Sequence, residues 1–142
     1  MAEQMSREEY TSFLMEGTRT GKLATVRDDG RPHVVPIWFV LDGETVVFTT
    51  GESSVKGRNI ARDPRVALCV DDQQPPFSFV LVEGTAETAP NPPEMLEWSI
   101  RIAERYMGPA LAEQFGKRNA VDGELLVRLT PTRVIAIKNL TD

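Results

Sequence analysis

Cys69 is the one cysteine and His33 the one histidine among 142 residues. A single thiol closes no intramolecular disulfide, and within the apolar run RVALCV it reads as a small buried hydrophobe. With one imidazole, one thiol and no acidic cluster at a ligand-like spacing, no structural metal is expected. No stretch approaches the ~18 apolar residues that a membrane span needs. The polar N-terminus MAEQMSREEY also lacks the apolar centre of a signal peptide, so a cytoplasmic protein with no membrane partner is expected. A basic excess is lacking as well, with 16 lysines and arginines against 21 aspartates and glutamates. The net charge is −5, so the surface as a whole repels polyanions and no nucleic-acid partner is expected. Neither a G-x-G-x-x-G nor a Walker loop occurs, and His33, with no visible nucleophile or carboxylate partner, reads as a structural or exposed strand residue.

What is present suits an ordinary folded domain. Hydrophobic residues at 41% and charged residues at 26% exclude a disordered or fibrous chain, and the length fits one domain over residues 1–142. Ser6 followed by Glu9 reads as a capping box, and Tyr10, Phe13 and Leu14 recur at helical spacing until Gly17. The period then changes to two: GKLATV is a strand, DDG a turn, and RPHVVPIWFVL one long extended run. Asp42-Gly43 turns the chain into a third strand over Thr45 to Thr50. Ser53 and Ser54 are natural caps for a helix running to about Asp63, which Pro64 stops. RVALCV is a fourth strand and FSFVLVEGTAETA a fifth, with Gly84 at a bulge or bend. NPPEMLEWSIRIAERYM reads as a helix packing Met95, Trp98, Ile102 and Tyr106 as one stripe against a sheet. A short helix near ALAEQF and a last strand, ELLVRLTPTRVIAIK, complete the chain. Six strands with mostly hairpin links predict a mainly β (α+β) fold, a barrel-like antiparallel sheet with flanking helices rather than a Rossmann unit.

One acidic-protein anomaly stands out. The stretch ESSVKGRNIARDPRV gathers Lys56, Arg58, Arg62 and Arg65. On an ideal helix Lys56 and Asn59 share a side while Arg58 and Arg62 face elsewhere, so these cations do not all serve one ligand. Lys56 falls in the first turn, where free backbone N–H groups and the helix dipole favour an anion, beside the Ser53 and Ser54 hydroxyls. A phosphate fits there. The alternative is a solvated lysine, with the arginines paired to surface acids such as Asp63.

In combination these segments resemble the core of the split β-barrel flavin and deazaflavin oxidoreductases, the pyridoxamine 5′-phosphate oxidase-like superfamily. The likeness lies in the LAT first strand, G.P before the second, a hairpin into VVFTT, the serine-lysine helix start, N..RDPRV and VEGTAE, within residues 20–90. VRLTPTRV resembles the family's last core strand. The resemblance implies a six-stranded antiparallel split β-barrel and a homodimer with the cofactor at its interface. It implies that Lys56 holds the cofactor phosphate, helped by Ser54, Thr49 and Thr50. Val35, Pro36, Ile37 and Trp38 would lie along the ring system, with backbone groups on its pyrimidine edge, and Phe77 would cover the ring across the dimer.

Val55 stands where the vitamin B6 oxidases carry the arginine of Ser-Arg-Lys, and the ending IAIKNLTD lacks their basic, aromatic tail. The N..RDPR segment and the short ending are more similar to the actinobacterial branch that uses the deazaflavin coenzyme F420. That likeness implies an F420-dependent oxidoreductase passing hydride to an unsaturated or conjugated small-molecule electron acceptor, the protein supplying orientation and exclusion of water. The alternatives are an FMN-dependent reductase or oxidase of the same fold, and a non-catalytic module that holds a cofactor or tetrapyrrole.

Overall fold

A computed structural model, describing residues 1–142, resolves the alternating segments into one antiparallel sheet of eight strands with four helices. In chain order the elements are β1 (Glu3–Gln4), α1 (Arg7–Met15), β2 (Gly21–Val26), β3 (Pro32–Ile37), β4 (Val40–Asp42) and β5 (Thr45–Gly51). There follow α2 (Val55–Arg62), β6 (Arg65–Asp72), β7 (Ser78–Pro90), α3 (Met95–Met107), α4 (Pro109–Asn119) and β8 (Glu124–Lys138). The capping box forms: Ser6 Oγ accepts from the Glu9 N–H and Glu9 Oε1 from the Ser6 N–H, each at 3.1 Å.

The strand order is β3-β2-β6-β7-β8-β5-β4, with β1 added on β8. The two ends of that order, β3 and β4, are neighbours in the chain yet do not pair with each other. The barrel is therefore split between them. The run RPHVVPIWFVL, expected as one strand, breaks at Trp38–Phe39, with β3 pairing β2 and β4 pairing β5. The break has a physical cause, because side chains of α3 take over the backbone groups of Phe39. Its carbonyl accepts from Arg105 at 2.7 Å and its N–H donates to the Tyr106 hydroxyl at 3.2 Å. This break and the short β1 account for eight strands where six were expected.

Alternation along β5 serves two cores at once. Val46 and Phe48 join the main cluster inside the barrel, with Leu23, Phe39, Leu68 and Val80, while Phe13 and Leu14 of α1 and Ile60 of α2 pack against it. Val47 faces the other way, into a second cluster with Met95, Trp98 and Ile102 of α3. The α3 stripe is thus core packing, with Tyr106 at its edge.

One local expectation, the bulge at Gly84, is met, and two need correction. The bulge between β7 and β8 puts its extra residue, Thr132, on β8, since Glu83 faces Arg133 and Gly84 faces Pro131. Gly84 is required opposite it, because a Cβ there would lie 2.1 Å from the Thr130 carbonyl oxygen. Ser54 caps α2, and Ser53 does not. Cys69 lies on the face of β6 opposite Val66, Leu68 and Val70, half-buried rather than in the core, and burial raises its thiol pKa. No helix is long and apolar enough to cross a membrane.

Candidate functional site

The start of α2 is assembled from short-range contacts. Ser54 Oγ accepts from the Gly57 N–H at 3.0 Å and donates to the Gly51 carbonyl at 2.7 Å, so the Thr50 hydroxyl, 2.8 Å away, is the donor between those two side chains. The Ser54 N–H also returns to the Gly51 carbonyl, at 3.1 Å. These bonds use the hydroxyl hydrogens of both Thr50 and Ser54 within the chain and hold the helix start in place. The N–H groups of Val55 and Lys56 keep no partner, as the first turn of a helix dictates.

The four cations divide accordingly. Arg65 pairs with Asp63 at 2.8 Å, and its hydrogen bonds hold the Asp63 carboxyl down to about 2. Arg62 donates to the Val26 carbonyl and to Asn59 Oδ1, and lies 3.9 Å from Asp28. Asn59, buried, donates to Thr25 Oγ1 at 2.9 Å. The N..RDPR segment is therefore a clamp between α2 and β2. Arg58 is exposed, while Lys56 is half-buried and forms no ion pair.

Lys56 looks into a cleft of about 390 Å³ at the split of the barrel. Pro36, Ile37 and Trp38 line it from the end of β3, and Thr49, Thr50 and Gly51 from the end of β5, with Ser54 beside Lys56. Ile102 of α3, Asn119 of α4 and Glu124 of β8 complete the walls. Two larger hollows, of about 570 and 670 Å³, are charged surface grooves beside α1, away from the split.

Trp38 is held at the mouth from behind. Its ring stacks on Tyr106 with centroids 4.9 Å apart and planes 4° off parallel. The Tyr106 hydroxyl donates to the Arg19 carbonyl at 2.8 Å, and burial pushes its pKa up. Arg105 donates to the carbonyls of Leu14, Gly17 and Phe39 without an acid partner, and burial lowers its pKa. Glu124 is half-buried. Burial raises its pKa, against the opposing pull of the Thr49 hydroxyl and the Lys56 ammonium. Neither Arg105 nor Glu124 carries a motif, and Tyr106 reads from sequence only as one member of an apolar stripe.

Two of the expected site residues, Val35 and Phe77, lie outside the cleft. Val35 sits on β3 opposite Leu23. Phe77, at φ +60°, lies in the β6–β7 connection, where its carbonyl accepts from the Leu140 N–H at 3.0 Å. His33 is also remote, paired with Thr25 toward the far end of β3, and its buried Nδ1 has no partner.

An antiparallel barrel split beside a cationic helix start defines the split β-barrel class in which flavin-type oxidoreductases are found. Within it the chain belongs to the pyridoxamine 5′-phosphate oxidase family, which it matches over residues 6–138. Over 78 residues it is 41% identical to a 5a,11a-dehydrotetracycline/5a,11a-dehydrooxytetracycline reductase of Streptomyces rimosus, covering 49% of this chain and 55% of that protein. The chain thus spans little more than half the length of that relative. The crystal structure of a conserved Mycobacterium tuberculosis protein, Rv2991, superposes with a TM-score of 0.83 at 30% identity, over 95% of this chain and 86% of the other. A structure described as an F420 reductase superposes with a TM-score of 0.68 at 31% identity, over 87% of this chain and 94% of the other.

Proposed function

We propose that the protein is an F420-dependent oxidoreductase that binds the deazaflavin in the Lys56 cleft, at the interface of a homodimer. The observation that carries this reading is the donor set at the start of α2: a lysine without an acid partner beside two unpartnered N–H groups, the arrangement that suits a phosphate. The kinship with an F420 reductase favours the deazaflavin, and the dehydrotetracycline reductase is a relative whose named substrate is unsaturated. FMN is the alternative cofactor.

The residues present fit such a group. The cleft's size lies within the range of small-ligand sites, which runs from about 300 to 1,000 Å³. β3 is an edge strand, so its backbone groups on the side away from β2 have no strand partner and suit the polar edge of a ring system. Trp38, stacked on Tyr106, is a preorganised apolar wall, and Phe77 is assigned to the partner's cofactor. The chemistry available from the bound, reduced deazaflavin is hydride transfer to an electrophilic carbon of an unsaturated or conjugated acceptor. The chain's part is to anchor, orient and exclude water, which requires no nucleophile.

Titration with oxidised F420 and, in the same buffer, with FMN tests the assignment. The wild type should bind F420 more tightly. Lys56→Ala should weaken that binding several-fold or more, with a stability change under about 0.5 kcal/mol. Unchanged affinity in the variant removes Lys56 from the phosphate site, and tighter binding of FMN places the chain with the flavin enzymes.

A further inference from the structure

Resting on the reading of the cleft as a cofactor site, we infer that Glu124 is a charge filter that selects a singly charged phosphodiester over a doubly charged phosphomonoester. The walls contain one cation, Lys56, and one acid, Glu124. The acid is brought there by the sheet register, which sets Glu124 directly opposite Gly51. Its side chain lies over that backbone: an atom at the Cβ position of Gly51 would be 3.8 Å from Glu124 Oε1. Gly51 in turn supplies the carbonyl on which Ser54 fastens α2. The carboxylate therefore stands at the same corner as the free N–H groups of Val55 and Lys56.

Glu124 is half-buried and forms no ion pair of its own, so its charge is poorly screened by water. A site meant only to attract anions gains nothing from an acid at this point. Glu124 opposes Lys56 in the cleft, so the repulsion from the carboxylate doubles when a bound phosphate carries two charges instead of one. Coenzyme F420 carries its phosphate as a diester with a single ionisable oxygen. FMN carries a monoester, largely dianionic at pH 7.5 because the second ionisation of such a phosphate falls near about 6. A second charge within several Å of a half-buried carboxylate costs about a tenfold loss of affinity or more.

Glu124→Gln keeps the shape and a polar partner for Thr49 while removing the charge. With F420, FMN and riboflavin titrated at pH 7.5, the substitution should strengthen FMN binding about tenfold more than F420 binding. Riboflavin, which has no phosphate, should bind as to the wild type. Equal strengthening of FMN and F420 would overturn the filter and leave Glu124 as a partner of Lys56 alone, and so would FMN remaining unbound by the variant. In both cases F420 binding would still uphold the cofactor reading. Failure of wild type and variant alike to bind F420 would overturn that reading and the filter with it.

Discussion

Gly57 shows how little room the site leaves for variation at a single residue. It stands in the first turn of α2, where a Cβ would meet the Gly51 carbonyl oxygen at 2.4 Å and Ser54 Oγ at 3.0 Å. The nearest atom is backbone, so relief requires the helix start or the end of β5 to move. Gly57→Ala is expected to destabilise the protein by about 1–3 kcal/mol and to weaken F420 binding, because the same displacement carries Lys56 and its two free amides with it. Denaturant unfolding and an F420 titration on one preparation check both effects; an alanine variant equal to wild type in each would show that the corner is looser than its contacts indicate. Lys56 itself was legible as the odd cation of its stretch, because a first-turn position is a local property. Glu124 was not legible, since its neighbours in the chain say nothing about which residue of β5 it faces.

Among the elements, α2 depends on a polar clamp more than on its apolar surface. Ile60 is its buried hydrophobic residue, and beside it Asn59 bonds Thr25 of β2 while Arg62 reaches the carbonyl of Val26. Asn59→Ala leaves the Thr25 hydroxyl buried without that partner and should cost about 1–3 kcal/mol. The second effect is indirect. With its inner turn released, α2 presents Lys56 less rigidly, so F420 affinity should fall although Asn59 does not line the cleft. A variant that loses stability but retains full affinity would separate the clamp from the site. Helix and strand periods made most elements readable, including the capping box on α1 and the α3 stripe. The long run through Trp38 and Phe39 misled because its composition is extended throughout, and β-propensity does not record where a strand changes partners.

For the whole molecule, the split that makes the cleft also leaves apolar surface in the open. Val34 is 63% exposed and Trp38 43% exposed, on or beside the edge strand β3. A homodimer that covers this surface and encloses the cleft is expected. Sedimentation at micromolar concentration should then give the mass of two chains; a mass near the 15.8 kDa of one chain contradicts it. Phe77 belongs to the same test: it lies outside its own chain's cleft, so a role at the cofactor requires the dimer.

The amino-acid order alone determined what depends on near neighbours: the β-rich class, the turns at Gly30 and Gly43, the cap at Ser6, and a lysine in the first turn of the helix that follows Ser53 and Ser54. Each follows from backbone preferences or hydrogen bonds within a few residues. Tertiary structure decided the break at Phe39, which rests on Arg105 and Tyr106, 66 and 67 residues away. It also placed Thr132 in the bulge and Glu124 beside Lys56, because cross-strand register joins residues that no local pattern connects.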